Sequence, residues 1–447
     1  IMLIKCIKSK ISIIQQNNFW NKLFRNMFSA FLGESGSAVM NVFTTMAIIW
    51  AIGDTANGVF VVAQSYMYIV DGLINFQSWQ AVIKYGSECI ENKNYSGLCA
   101  IIKTGMIVDM LTALVGTIVA IVIIPAVGYY MEWDNEIKLC CFVFSLEIFF
   151  HFSGASVGVL RLFNKFNLVA IQKNVVAAVK LIGVLIFWLF DLHDLLQLVI
   201  VYVCADIIGH IMLTMMSLNT LQKSDNMSIK EMLKAPVKSV WKKFWGFAFW
   251  TNLTSSVDIP VKQLDVFILS GISYEIVSVF KLYKQVGNIL VQLSTPISQA
   301  IMPQFSELIA QKKLKECYDI MMKMRKWTLW VMIPITAVVT ALSPWLLDVF
   351  FGELYAKYFY ILMLYLLSRS FALSYTSIHQ LFVSMGKVRR NFVFTIIANV
   401  AYLICAVILS RIIGILGVVT ALFAEYFIII MLKKYDIKKE LALSSLS

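Results

Sequence analysis

A chain of 447 residues that is 60% hydrophobic and only 14% charged, with mean hydropathy +0.78, lies outside the composition of soluble domains. The formal net charge of +12 would point to nucleic acid in a soluble protein, but here the basic residues are sorted by side of a membrane, which excludes that reading. Eight cysteines without CxxC or other paired spacing read as small apolar side chains rather than a disulfide framework.

Residues 1–26 are basic and lack an apolar core followed by a small-residue cleavage site; 11–24 are expected to form a helix lying on the membrane surface. Twelve hydrophobic segments follow, at 27–52, 58–83, 104–126, 137–160, 168–190, 194–218, 244–271, 274–302, 327–351, 356–385, 392–412 and 413–432. Each is long enough for the roughly 20 apolar residues that cross a bilayer as a helix. When the connections are alternated between two sides, one side collects Lys5, Lys8, Lys10, Lys22, Arg25 and clusters such as Lys242–Lys243, Lys312–Lys313, Arg389–Arg390 and Lys433–Lys434. The other side holds only Lys138, Lys357 and Arg411. Basic connections stay inside, so both termini are expected in the cytoplasm of a multi-pass bacterial inner-membrane protein. The outer connections are short (53–57, for example), leaving no room for a soluble catalytic domain outside.

The strongly basic stretch 222–243 divides the chain. The expected organisation is a cytoplasmic basic segment (1–26), an N-lobe of six spans (27–221), a linker (222–243), a C-lobe of six spans (244–435) and a cytoplasmic tail (436–447). An internal repeat supports the division: Gln80-Ala81-Val82-Ile83-Lys84-Tyr85-Gly86-Ser87-Glu88 recurs as Gln299-Ala300-Ile301-Met302-Pro303-Gln304-Phe305-Ser306-Glu307, with four identities in nine, and both copies close a span and enter an inner connection. The expected fold is an all-α polytopic protein of about twelve transmembrane helices, in two pseudo-symmetric six-helix lobes around a central cavity. Transporters built on parallel repeats carry substrate between halves that rock against each other.

Polar residues recur at steps of three or four along the first two helices of each half, hence on one face of each. These stripes are Glu34, Ser37, Asn41 and Thr44; Gln64, Tyr68, Asp71, Asn75 and Ser78; Asn252, Ser255, Asp258, Lys262 and Asp265; and Lys281, Lys284, Asn288, Gln292, Thr295 and Gln299. Five polar groups on one helix exceed what interhelical hydrogen bonding requires, so a water-filled cavity competes with the simpler packing role. The candidate cavity polar groups are Asn41, Gln64, Asn75, Asn252, Asn288 and Gln292.

Five cations fall inside spans: Lys180, Lys262, Lys281, Lys284 and Arg369. Lys281 and Lys284 stand i, i+3 with no acid nearby on their own helix, and an anion between them would explain the pair; snorkelling of Lys281 is the alternative. Lys262 has Asp258 and Asp265 within one turn and could be neutralised there. For Lys180 and Arg369 the alternative is an acid on a neighbouring helix. Glu147/His151 and Asp206/His210 are i, i+4 pairs that could relay protons or simply pack. Glu34, Asp71 and Asp258 are the candidates for a coupling H+ or Na+. No metal site, cofactor or catalytic motif (HExxH, phosphate loop, nucleophile elbow) is found.

Gly158-Val159-Leu160-Arg161-Leu162-Phe163-Asn164-Lys165-Phe166-Asn167 resembles the link after the fourth span in the oligosaccharide flippases of the polysaccharide-synthesis family, the O-antigen flippases of the multidrug/oligosaccharidyl-lipid/polysaccharide exporter superfamily. Leu264-Asp265-Val266-Phe267-Ile268-Leu269-Ser270-Gly271 with Val279-Phe280-Lys281-Leu282 resembles that family's signature across spans seven and eight, and Lys281 matches its frequent basic position. The resemblance implies a cationic cavity that passes an undecaprenyl-diphosphate-linked oligosaccharide from the cytoplasmic to the outer leaflet. Partners would be the lipid-linked oligosaccharide, the bilayer and the polysaccharide polymerase and chain-length machinery. Murein-precursor flippases of the same superfamily typically have fourteen spans, and this chain has room for twelve. A multidrug and toxin exporter of that superfamily is the first alternative, opposed by the cations. A membrane polysaccharide polymerase or ligase is the second, opposed by the short outer loops.

Overall fold

The computed structural model describes the backbone of residues 2–76, 78–224, 227–292, 301, 305, 307–309 and 311–444, and within these the side chains from residue 36 onward except 254, 255, 258, 260, 383, 388 and 444. Five candidate polar groups, Glu34, Ser255, Asp258, Thr295 and Gln299, therefore lie outside the described side chains, as do the surface-helix stretch and most of the second repeat copy.

Among the described residues the chain is a membrane-spanning bundle of helices joined by short turns. The first half comprises α1 (Met2–Ile74), α2 (Trp79–Glu91), α3 (Tyr95–Tyr130), α4 (Asn135–Phe150), α5 (Gly154–Leu162), α6 (Phe166–Leu189) and α7 (Leu195–Gln222). The rest comprises α8 (Ile229–Lys234), α9 (Lys238–Ser256), α10 (Asp258–Ser270), α11 (Tyr274–Gln292), α12 (Leu314–Phe351), α13 (Glu353–Lys357), α14 (Phe359–Ser374), α15 (Thr376–Ser384), α16 (Val388–Ile413) and α17 (Ile415–Ser444). Side-chain caps mark several starts: Asn94 accepts from the Gly97 N–H at 2.9 Å, Asp134 from Ile137 at 2.8 Å and Asp194 from Gln197 at 3.1 Å.

Among the described residues, eight helices are long and apolar enough to cross a membrane, or nine when α4 and α5, bent by 41°, count as one span. The described parts of the twelve expected segments lie on these or neighbouring helices. Segments 27–52 and 58–83 share α1, which breaks at Gly53 (φ 80, ψ 175), a conformation essentially confined to glycine. Segment 244–271 is split at Val257 into α9 and α10, and 274–302 runs from α11 into residues outside the described set.

Large apolar side chains such as Val122, Leu189, Ile412 and Trp330 are 68–77% exposed on the outside of the bundle. In water such a surface would drive aggregation; in a bilayer, where helices satisfy their own backbone groups, it is the expected face. Inside, one core runs through α1, α4, α6 and α7 of the first lobe and α10, α11, α14 and α17 of the second. A smaller core gathers α2, α3 and α5, and it also takes in Met227, Met232, Phe244 and Ala248. The stretch 222–243 thus packs against the first lobe. It forms α8 behind a capping box of Ser228 and Glu231, and Lys103 Nζ donates to the carbonyls of Leu233 (2.6 Å) and Ala235 (3.0 Å).

Candidate functional site

Polar side chains gather in three places: within the first lobe, within the second, and along the seam between them. In the first lobe α4 ends at His151, and the break before α5 frees the His151 carbonyl to accept from Asn75 Nδ2 at 2.8 Å. Asn75 also donates to Asp71 Oδ1 (2.8 Å), whose Oδ2 lies 2.8 Å from His151 Nδ1. The His151 ring rests 4.4 Å from that of His210, and His210 Nδ1 is 3.1 Å from Ser153 Oγ. Asp109 has a separate role, accepting from the Ser78 N–H, the Ser78 hydroxyl and the Ala155 N–H at 2.5–2.9 Å, which clamps the starts of α2 and α5 to α3.

His151 stands i, i+4 from Glu147 in the sequence, yet its carboxylate partner is Asp71 of α1. Asp206 is likewise taken by Lys180 at 2.6 Å, across α6 and α7, with the ammonium 3.8 Å from the Tyr202 ring centroid. Lys180 is therefore paired with an acid on a neighbouring helix. Glu147, 6% exposed, keeps its Oε2 without a hydrogen-bond partner among the described residues.

The second lobe encloses a cavity of about 540 Å³ lined by α10, α11 and α14–α17. Three of the five candidate cations line it: Lys262, Lys284 and Arg369, together with Asn288. Lys284 pairs with Asp265 at 2.8 Å and reaches the Lys262 carbonyl at 2.5 Å, so Asp265 is committed to α11 rather than to Lys262. Lys262 is exposed, with no ion pair among the described residues. Arg369 donates from Nε (3.0 Å) and Nη2 (2.7 Å) to the Tyr365 hydroxyl and from Nη1 to that of Tyr426 (2.6 Å).

Sequence spacing leaves other members of this cavity out. Lys433 counts there among the basic loop residues, but it is 4% exposed and lines the cavity beside His379, 3.4 Å away. Asn391, Thr395, Asn399 and Tyr402 line it from α16 at steps of four, four and three. The periodicity that marks the first two helices of each lobe would have found this stripe as well. Among the described residues that line it, four cations face the two carboxylates Asp265 and Glu425, an excess of positive charge.

Lys281 and Asn252 lie at the seam. Lys281 donates to Gln64 Oε1 of α1 at 3.2 Å, joining the lobes. Asn252 donates to Ser256 Oγ (3.3 Å) and, with Asn75, lines a smaller seam cavity of about 120 Å³. Gln292 Oε1 is buried without a hydrogen-bond partner among the described residues, and Asn41 is half-buried on the first half of α1. At the end of the molecule that carries 53–57, Asn57 Nδ2 donates to Ser278 Oγ (2.5 Å), which is 2.6 Å from the Tyr355 hydroxyl; that hydroxyl lies 3.0 Å from Asp54 Oδ1. Thr55 donates to Glu275 at 2.5 Å and Trp50 Nε1 to the Phe350 carbonyl at 3.0 Å. Hydrogen bonds thus hold that end of the seam closed.

No family model matches the chain. It is 25% identical over 165 residues to the inner membrane protein YghQ of Escherichia coli (strain K12), a match that takes in 36% of this chain and spans 46% of the length of that curated relative. Among solved structures it is similar to an inward-facing multidrug resistance MATE family transporter of the MOP superfamily (TM-score 0.71, 13% identity, 91% of this chain and 96% of that one). It is equally similar to the lipid II flippase MurJ in an inward closed conformation (TM-score 0.71, 15% identity, 91% of this chain and 87% of that one). Two lobes, the short connections and coverage of nine-tenths of the chain establish that this protein has the fold of the MOP-superfamily transporters.

Proposed function

We propose that the protein is a flippase that moves an anionic lipid-linked oligosaccharide, in the form of an undecaprenyl-diphosphate-linked O-antigen or related repeat unit, from the cytoplasmic to the outer leaflet of the bacterial inner membrane. The observation that carries this reading is the cationic cavity of the second lobe. A diphosphate loses much hydration on leaving water, and the excess of positive charge lining the cavity offsets part of that cost. Arg369 presents a planar fork held by two tyrosines, while Lys262 offers a mobile point charge. Amides on α11 and α16 and the rings of Tyr365, Tyr402 and Tyr426 suit the hydroxyls and apolar faces of sugars. Fold alone does not separate this reading from a drug exporter, since both kinds of relative share it; the sign of the cavity charge favours an anionic substrate.

Rocking of the lobes would expose the cavity to each side in turn while the lipid tail stays in the bilayer. For coupling, the Asp71–His151 pair and buried Glu147, whose Oε2 has no hydrogen-bond partner among the described residues, are the groups best placed to bind H+ or Na+. Both termini are read as cytoplasmic, and the polysaccharide polymerase machinery as the downstream partner.

The test is surface-polysaccharide production in a host deprived of its own flippase, with protein level followed by blot. Lys262→Glu combined with Lys433→Ala should abolish production at normal protein level, Lys262→Arg should keep most of it, and Arg369→Lys should fall at least tenfold. Wild-type polysaccharide from the Lys262→Glu/Lys433→Ala variant would refute the anion-binding role of the cavity.

A further inference from the structure

A second basic site lies on the outside of the same lobe, away from the cavity. Between the start of α16 and the end of α17 a groove of about 570 Å³ is lined by Arg389, Arg390, Val393, Leu432, Tyr435 and Lys439, with Phe394 and Asp436. Its carboxylate is already satisfied: Asp436 pairs with Lys387 at 2.6 Å and with Arg390, and Lys387 also holds Glu440 at 2.8 Å. Arg389 and Lys439 are exposed and make no ion pair among the described residues, so the groove keeps two uncommitted cations.

Two apolar stripes converge on this basic head. Val393, Ile397 and Val400 follow one face of α16 at steps of four and three, and all are 45–50% exposed. Phe427 and Met431 follow α17 at a step of four, at 56% and 50% exposed, and lead to Tyr435, 72% exposed. From Ile415, where α17 begins after the Gly414 turn, Tyr435 is twenty residues along the helix, roughly 30 Å at 1.5 Å per residue. That distance matches the hydrocarbon thickness of about 30 Å and places Tyr435 at the headgroup boundary, where tyrosine concentrates. Basic residues stand at headgroup depth and an apolar track runs from them into the bilayer.

We propose that this groove binds an anionic phospholipid of the adjacent leaflet, its phosphate between Arg389 and Lys439 and one acyl chain along the stripe of Val393 and Ile397. A soluble anion would have no use for the track, and a zwitterionic lipid would bring a cation of its own beside Arg389 and Lys439, which an anionic lipid does not. The proposal does not depend on what the protein transports.

The test is native mass spectrometry of the purified full chain released from micelles containing equal amounts of phosphatidylglycerol and phosphatidylcholine. The wild type should retain phosphatidylglycerol selectively, Arg389→Gln/Lys439→Gln should lose at least tenfold of that retention, and Arg389→Lys/Lys439→Arg should restore it. The melting temperature of the lipid-free double variant, expected to match the wild type, separates loss of a site from loss of fold. Undiminished retention in the Gln variant, equal retention of phosphatidylcholine, or displacement of phosphatidylglycerol by equimolar undecaprenyl diphosphate would each overturn the proposal.

Discussion

Asp71 commits one carboxylate oxygen to Asn75 and the other to His151, which ties α1 to the break between α4 and α5. Hydrogen bonds to charged groups contribute about 1.5–3 kcal/mol each, and an amide at this position would present a donor where an acceptor is required. Asp71→Asn is therefore expected to impair transport while protein level stays normal, and His151→Gln should do the same. Full complementation by both variants would confine the pair to a structural role. Such pairings are hard to read from spacing. The i, i+4 rule places Glu147 beside His151, but a residue's partner in a bundle is set by which helices face each other, and the face of α1 decides here. Lys433 shows the same limit: one helical turn decides whether a cation near a span's end faces solvent or turns into a cavity, and hydropathy does not resolve one turn. The stripe over Gln64, Asp71 and Asn75 was legible because a repeated step of three or four fixes a face without knowledge of the neighbour.

Helix packing at the seam depends on one residue without a side chain. A Cβ on Gly58 would sit 2.0 Å from the Tyr274 carbonyl oxygen and 2.5 Å from its carbon, both backbone atoms that cannot rotate away. Gly58→Ala must push the starts of the second half of α1 and of α11 apart, at a cost of about 1–3 kcal/mol for overpacking. Its expected effect is to loosen the seam: in a cysteine-free background Gln64→Cys, 4% exposed as glutamine in the closed seam, should become reactive to a membrane-impermeant maleimide only when Gly58→Ala is present. Unchanged protection would show that the helices re-pack without opening. The break at Val257 is a different device. Its first arm, α9, stacks Trp245 on Phe76 (ring centroids 5.4 Å) and places Lys243 3.2 Å from Glu88. Its second arm, α10, packs on α16 and carries the cavity lining. Hydropathy reports this helix as one apolar run, because a change of direction leaves no trace in apolar content.

Across the whole molecule, the closed end of the seam relies on a small set of hydrogen bonds around Tyr355, whose hydroxyl connects Ser278 to Asp54. Two such bonds contribute about 2 kcal/mol together, roughly thirtyfold in an equilibrium between closed and open seam. Tyr355→Phe should raise the open population by about that factor, read as a longer spin-label distance between positions 55 and 353; an unchanged distribution would show that the network fills space without gating. The two-lobed plan itself was legible, since long apolar runs and the sidedness of lysine and arginine follow directly from the bilayer as solvent. The division point was less so. A basic stretch reads as a tether, whereas 222–243 buries Met232 and anchors its backbone on Lys103.

That anchoring bears on how the protein is made. Phe244 and Ala248 fill the same core as Leu98, Cys99 and Ile102, so the first lobe's interior is finished by residues from beyond its own last span. Chains are synthesised from the N-terminus, and domains ordinarily fold as they emerge. Here the helices of the first lobe, α1–α7, leave the ribosome with one wall of their interior still missing, and they can seal only when α9 has followed. Maturation of the two lobes is thereby ordered in time, and α9 is the point at which the earlier lobe waits for the later one.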